Sequence, residues 1–553
     1  MAPEKHTADD HSVIIIGAGW QGIAAARTYL QLKPNIKLTI IDSDSSIGGV
    51  WSIERSYPGL IADSPVGCYE FSDMCMDEDS ELEMWKIIPG HKVGEYLRKF
   101  SKRFDIDEHL RLNTKVFSAV PENGIGGVKK WSLEVQTKGK EKEFLKCDKL
   151  IVASGPSSDP RMPNLDTSRF NGPVFHSLYL GARHAELTAD KIKHVTVVGG
   201  NKSAAEVVNL CAIAGKKATW LIREGGAGPG MLIQARSGGV HTAAIAFSRW
   251  AGLTVPCLLR THGFWYWLLH SGLFWPGIWL IGKYWEWASH YMLKGLYEQS
   301  ENAKKIAPDL QHVRLDNGTD LATDAIIFAT GWNLTFSKFF SPEMRLELDL
   351  PIPFGAEPPA LKAYWKELDL EADQWVHKTF PFLSNPPKTY ETPPDHTPYH
   401  LYRQSIPTTL ATRNDRSIIF LGVLASPQIP TYAELSSLWS IAYLENMHAP
   451  EIDKVFSNKL TMDLDIARVN AFMKWRYRRA GIIEPNVGAE VQDLCDLLCE
   501  ELGVEARRKS RIGGWKGSWN EWFEPYRSMD YKGVVGEFLE VVRKREEGKA
   551  KSE

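Results

Sequence analysis

The sequence predicts an α/β protein built from two three-layer domains, each around a parallel sheet. Three observations carry that expectation. The apolar run Val13-Ile14-Ile15-Ile16 leads directly into the turn Gly17-Ala18-Gly19-Trp20-Gln21-Gly22. The run Val195-Thr196-Val197-Val198 leads in the same way into Gly199-Gly200-Asn201-Lys202-Ser203-Ala204. Two later stretches, Asp148 to Gly155 and Asp324 to Gly331, share one form, a buried strand that ends in small residues. A chain of 553 residues also exceeds a single ordinary core.

Each element follows from local chemistry. Val13–Ile16 reads as a strand buried on both faces. Gly17 permits the tight turn, Gly19 lets the backbone approach a pyrophosphate, and Gly22 lets the next helix pack against the strand. The helix is expected over Trp20–Leu32, stopping before Pro34-Asn35. Its N-terminus offers N–H groups and partial positive charge to phosphates. A second strand, Lys37–Ile41, ends at Asp42, where an acid can bond ribose hydroxyls and would repel a 2′-phosphate. Strand, helix, strand and acid together predict a Rossmann-like cradle for FAD or NAD. In the second unit, Gly199, Asn201 and Ala204 stand at the three glycine positions. Asn201 is expected there because asparagine tolerates left-handed backbone, and Ala204 because it is small. The following strand, Ala218–Ile222, leads into Arg223, whose guanidinium suits a 2′-phosphate. Lys202 adds a second cation and Ser203 sits in the same turn, so this cradle reads as one for NADPH.

Composition narrows the classes. A net charge of −3 supplies no basic field, so no nucleic-acid partner is expected. The seven cysteines contain no Cys-x-x-Cys pair. They read as reduced, buried thiols of a cytoplasmic compartment, and no metal site is read. A pyridine-nucleotide disulfide reductase needs a redox cysteine pair, and Cys68 and Cys75 have the wrong spacing for one.

Gly48-Gly49-Val50-Trp51 gives backbone free to pass close to a cofactor, with an indole beside it. Tyr57-Pro58-Gly59-Leu60-Ile61-Ala62-Asp63 follows. On these residues the chain resembles the class B flavin-dependent monooxygenases, which comprise the flavin-containing and the Baeyer–Villiger monooxygenases. The Tyr-Pro-Gly-x-x-x-Asp stretch is more like the Baeyer–Villiger branch. Phe170-Asn171-Gly172-Pro173-Val174-Phe175-His176 matches the family's Phe-x-Gly-x-x-x-His linker. The aromatic expected four residues later is replaced by Leu180, with Tyr179 one position early. Ala329-Thr330-Gly331 matches the element at which the chain returns to the first domain. The stretch from Phe420 and Gly422 through Trp439 is similar to the flavin-containing branch. There Thr431-Tyr432-Ala433-Glu434 has a capping-box pattern for a helix start. The likeness runs over roughly residues 12 to 450.

The resemblance implies an NADPH-binding domain inserted into an FAD-binding domain. Residues 1–11 would be a disordered N-terminus, 12–165 the first part of the FAD domain, and 166–325 the NADPH domain with an aromatic-rich insertion at about 236–305. Residues 326–540 would be the second part of the FAD domain with C-terminal helices, and 541–553 a tail. The implied FAD contacts are Gly17, Gly19, Gly22, Asp42, Gly49, Val50, Trp51, Asp63, backbone at Val116, Thr330, Gly331 and Gly422. The implied NADPH contacts are Gly199, Asn201, Lys202, Ser203, Ala204 and Arg223. Asp63 is the candidate catalytic acid near the flavin edge, and His176 is read as a linker or hinge residue.

The implied reaction is reduction of FAD by NADPH and formation of a C4a-hydroperoxyflavin from O2. One oxygen atom then passes into a lipophilic small molecule, by carbon oxygenation of a natural product or by N- or S-oxygenation. Baeyer–Villiger insertion into a ketone and a non-catalytic or electron-relay flavoprotein stay open as alternatives. The apolar run 264–282 has transmembrane length but is broken by His270, Pro276 and glycines. A tunnel lid, a core hairpin and a peripheral membrane contact all remain readings of it.

Overall fold

The computed structural model describes residues 11–76, 82–123, 129–222, 236–237, 240–253, 257–259, 312–314, 320–384, 395–477, 485 and 490–552. The run 264–282 and Arg223 lie outside the described residues, as do residues 1–10.

The first unit forms where its apolar runs place it: β1 at Ser12–Ile16, α1 at Trp20–Leu32 and β2 at Lys37–Ile41. A short antiparallel pair follows, β3 at Ile61–Pro65 and β4 at Ile87–Pro89, and then α2 at Gly90–Arg103 and β5 at Leu110–Arg111. An antiparallel sheet of three strands comes next: β6 at Thr114–Asn123, β7 at Lys129–Thr137 and β8 at Lys142–Cys147. Strand β9, Lys149–Val152, pairs parallel with β1. The strand Ile418–Phe420, more than 260 residues later in the chain, pairs parallel with β9. The first sheet thus runs in the order Ile418–Phe420, β9, β1, β2, β5, with parallel neighbours throughout.

Strand β1 shows why it had to be apolar on both faces. Val13 and Ile15 point into a large core made with α1 and the helix Ile429–Leu444. Ile14 and Ile16 point into a second core with Trp131, Phe340 and Phe420. Each face of the sheet is therefore covered.

The second unit comprises β10 at Val174–His176, α3 at Leu180–Thr188, β11 at His194–Val198, α4 at Lys202–Ile213 and β12 at Lys217–Leu221. Its four-stranded parallel sheet runs β10, Ala325–Phe328, β11, β12. Leu180, where an aromatic was expected, is buried in this sheet's core beside Phe175 and Leu187, while Tyr179 is exposed. The smaller side chain at 180 fills an interior position.

Three expectations change. The helix expected to start at Thr431 begins at Ile429, with Pro430 in its first turn and Gln428 as N-cap. Thr431 bonds Ser528, and Glu434 accepts from the Ser72 N–H and hydroxyl, so neither residue caps the helix. At the N-terminus His11 is anchored, its Nε2 lying 2.9 Å from Glu445 Oε1. At the other end the segment read as a tail continues a helix, Val534–Ser552, and Arg545 donates to the Met447 carbonyl at 3.2 Å.

Candidate functional site

The two cradles repeat one device. Gly17 has φ +109°, and a Cβ there would stand 2.3 Å from the Ala153 carbonyl oxygen. Gly199 has φ +143°, and a Cβ there would stand 2.1 Å from the Ala329 carbonyl oxygen. Each glycine thus lets a turn cross the end of the neighbouring strand, at Ala153 after β9 and at Ala329 after Ala325–Phe328. At the third position the cradles differ. A Cβ on Gly22 would lie 1.8 Å from the Gly17 carbonyl, whereas Ala204 carries one and is fully buried. Helix α4 therefore stands further from its turn than α1 does. The middle position needs no left-handed backbone, because Gly19 and Asn201 have φ of −86° and −105°. Tolerance of left-handed backbone is therefore not what places asparagine at 201. Both residues are extended N-caps. Among the described residues, neither α1 nor α4 has a side-chain cap or an acid in its first turn, as an anion-binding helix N-terminus requires.

The first cradle fits a dinucleotide. Gly49, with φ +60°, apposes Gly19 so closely that a Cβ on it would sit 3.2 Å from the Gly19 Cα. The Gly48 N–H donates to the Ala18 carbonyl at 2.9 Å, fastening the two loops together. Asp42 accepts from the Ala18 N–H at 2.7 Å and the Asp44 N–H at 2.9 Å. Its carboxylate therefore braces the turn, and both oxygens keep acceptor capacity for ribose hydroxyls. Burial pushes the Asp42 pKa up, against the pull of those two N–H groups. Gly422, at φ +81°, brings the late strand's exit against Gln21, whose Cγ would be 2.8 Å from a Cβ at 422. Among the described residues, the Ser154 and Ser158 hydroxyl oxygens are buried without a hydrogen-bond partner, and Ser154 lies behind Gly17. Orphaned polar atoms beside a turn that excludes every side chain are what a polar cofactor would satisfy. Val116 is buried on the edge strand β6, next to a bulge.

Trp51 is buried and donates from Nε1 to the Tyr69 hydroxyl at 3.1 Å, while Val50 beside it is exposed. Asp63 lies on β3 with its side chain 74% exposed, 3.4 Å from Lys202 Nζ. That lysine, read above as support for a 2′-phosphate, is turned across the seam instead. Its ammonium bonds Glu206 at 2.7 Å and the Ile61 carbonyl at 3.1 Å, and lies 5.7 Å from the Trp51 ring centre. Tyr57 closes the same seam by donating to Glu206 at 3.0 Å. This role of Tyr57 is not evident from its place in the Tyr-Pro-Gly stretch. The signal was available in the i, i+4 spacing of Lys202 and Glu206, which puts both on one face of α4.

The two chain crossings between the units are tied to each other. Gly331, φ +87°, accepts through its carbonyl from the Arg161 N–H at 3.0 Å and lies 3.1 Å from His176 Nε2. The Thr330 hydroxyl donates to the Arg161 carbonyl. His176 Nδ1 accepts from the Leu178 N–H at 3.1 Å, so the ring is a neutral fastener with both nitrogens engaged. Burial lowers its pKa in keeping with that state.

Two glycine turns of one design in one chain, joined by a seam at Lys202, are the arrangement that a dinucleotide-dependent oxidoreductase calls for. The family described as FMO-like, flavin-binding monooxygenase-like, matches residues 10–238. The FAD-dependent monooxygenase resA of Aspergillus sclerotiorum is 32% identical over 96% of this chain and 98% of its own length. A FAD-dependent monooxygenase of Pyrenophora dematioidea is 32% identical over 90% and 99%. Among solved structures, the S-allyl-L-cysteine S-oxygenase from Allium sativum shares the fold, with TM-score 0.52 and 17% identity over 97% of this chain and 99% of that one. The chain belongs to the flavin-binding monooxygenase-like family. It is a monooxygenase of the class B flavin type, with FAD and NADPH as its cofactors.

Proposed function

We propose that the first cradle holds FAD, that the inserted second unit holds NADPH, and that the protein places one oxygen atom into a lipophilic small molecule. The observation that carries this reading is the repeated glycine geometry at Ala153 and Ala329 with Lys202 and Asp63 between the two cradles. The chemistry supplied by the bound cofactors is reductive activation of O2 and transfer of one of its atoms to the substrate. The chain's own residues bind, orient and seal. Gly17, Gly19, Gly22 and Gly49 admit the FAD pyrophosphate, and Asp42 meets the ribose. Gly199, Asn201, Ser203 and Ala204 form the NADPH turn, with Arg223 at its 2′-phosphate. Lys202 holds the seam through Asp63 and Glu206, and Asp63 is the candidate acid toward the flavin. The ties at Gly331 and His176 keep the two units in register. No nucleophile–base pair is required, because the oxygen comes from the cofactor chemistry.

Carbon oxygenation of a natural product and N- or S-oxygenation are the favoured outcomes. The Tyr57 to Asp63 stretch keeps Baeyer–Villiger insertion as a second reading. The test is NADPH oxidation with amines, thioethers, ketones and polyenes, with hydrogen peroxide and product masses followed together. A mass increase of one oxygen coupled to NADPH supports the reading. Oxidation that yields only peroxide with every compound opposes it.

A further inference from the structure

Shortly after Gly331 the chain makes a turn, Thr335-Phe336-Ser337-Lys338-Phe339-Phe340, that shows one side chain and hides the rest. Thr335, Phe336, Ser337, Phe339 and Phe340 are buried, while Lys338 is exposed. The Phe340 N–H donates to the Ser337 carbonyl at 3.2 Å and closes the turn. Arg345 pins it, its Nε donating to the Ser337 carbonyl at 3.0 Å and to that of Phe340 at 3.2 Å. The turn is strung between two edges of the first unit. At one end the Thr335 hydroxyl donates to the Gly155 carbonyl, just past β9. At the other the Phe339 carbonyl accepts from the Ala119 N–H at 2.9 Å, on the same strand β6 as Val116.

Lys338 lines a cavity of about 490 Å³. Pro156 and Asp159 bring to it the loop after β9, and Val423 the residue after Gly422. The cavity therefore lies at the carboxyl ends of the first sheet's strands, where open α/β sheets bind their ligands. Two other cations of its lining are engaged, Arg161 by Asp395 at 2.7 Å and Arg345 by the turn. Among the described residues, no carboxylate stands within ion-pair distance of the Lys338 ammonium, which rests 5.1 Å from the Phe339 ring centre. The surrounding walls desolvate it and lower its pKa; Asp159 and Asp42 oppose that shift, and Lys115 and Arg55 add to it. These four residues outline the expected adenosine site. Asp42 follows β2, Lys115 precedes Val116, and Asp159 follows Gly155. Arg55 donates to the Asp44 carboxylate and to the Ser157 carbonyl, each at 3.0 Å. A dinucleotide brings its diphosphate into a field where Asp42 and Asp159 already place negative charge. A cation free of any carboxylate is what offsets it.

Resting on the reading that the first cradle holds FAD, we propose that Lys338 is a further residue of that site, presented by the buried turn 335–340 to the diphosphate of FAD's adenosine half. The ammonium supplies the charge, and the turn supplies its position.

The test strips the full chain of flavin and reads FAD affinity from the quenching of flavin fluorescence, without turnover. At low ionic strength K338M is expected to bind FAD about tenfold more weakly than the parent, as loss of one charge-assisted contact implies. K338R keeps the charge and should stay within about threefold of the parent. In 1 M NaCl, where the Debye length falls to about 3 Å, the gap between K338M and the parent should narrow to about twofold. The flavin-free chains should melt within about 2 °C of one another, because Lys338 supports no ion pair of the fold. K338M that binds FAD as tightly as the parent would overturn the proposal. So would an equal loss in K338R, a loss that salt leaves unchanged, or a fall of more than about 5 °C in the flavin-free K338M, which would mark a structural role. A parent chain that takes up no FAD overturns the underlying reading and the proposal with it. That outcome is distinguishable, because it shows before any variant is compared.

Discussion

Gly17 and Gly199 are expected to fail in different ways when given a side chain. In Gly17→Ala the new methyl would stand 2.3 Å from the Ala153 carbonyl oxygen, and in Gly199→Ala 2.1 Å from that of Ala329. Carbon atoms of that kind essentially never come closer than 3.0 Å. The turn or strand end must therefore retreat by roughly 0.7 Å in the first case and 0.9 Å in the second, in an interior with few voids. Alanine is also forced to φ of +109° or +143°. Each of these effects costs about 1–3 kcal/mol. Taking about 3 kcal/mol together, and relief by displacement of the turn, cofactor affinity falls at least about a hundredfold. The two variants differ in which cofactor is lost. G17A should purify with little FAD, read from flavin absorbance against protein absorbance. G199A should retain FAD and show a KM for NADPH raised at least about a hundredfold, or no saturation at all. The reasoning fails if both variants keep native FAD content and native KM, and the assignment is reversed if G199A is the one that loses flavin.

Burial pushes the Glu434 carboxyl up to about 8, opposed by the Ser72 donors and aided by Asp73. The folded chain then keeps a proton that the unfolded chain releases, so stability declines as pH rises from about 4.5 to about 8. E434Q should flatten that part of a Tm-against-pH curve and melt higher than the parent at pH near 8. His176, with its pKa lowered by burial, has the opposite sense: its contribution is present above the ordinary histidine value and is lost as pH falls below it. H176A gives up the ties to Gly331 and Leu178 and should lose about 1–3 kcal/mol in denaturant unfolding. K202M breaks a seam that is 40% exposed on the lysine side, so Tm should move by no more than about 3 °C. Its KM for NADPH should stay within about twofold of the parent, because Lys202 is engaged by Ile61, Asp63 and Glu206, and a rise of about tenfold or more would return Lys202 to the nucleotide site.

What the sequence made legible was local. Val13–Ile16 is apolar at every position because both sheet faces are covered, and Gly17 and Gly22 are demanded by backbone a few residues away or on the next strand. What stayed hidden depended on distant partners. Thr431 and Glu434 have the spacing of a capping box, but Glu434 is claimed by Ser72, 362 positions earlier. The overlooked local cue was Pro430, a residue suited to a first helical turn. Asn201 invited a left-handed reading, yet it caps α4 in extended backbone. Lys202 looked like a phosphate ligand until Ile61, Asp63 and Glu206 were seen around it. Nothing in Tyr402-Arg403-Gln404-Ser405 signals a tight turn, since the anchors, Asp465 and Glu501, arrive from helices much later in the chain.

The most direct measurement is an anaerobic titration of the purified chain with NADPH, followed through the visible flavin bands. The expected result is a yellow protein carrying about one FAD per chain that bleaches with about one NADPH and regains its colour when O2 is admitted. A chain that stays colourless in excess FAD, or a flavin that NADPH leaves oxidised, would contradict the pairing of the two cradles.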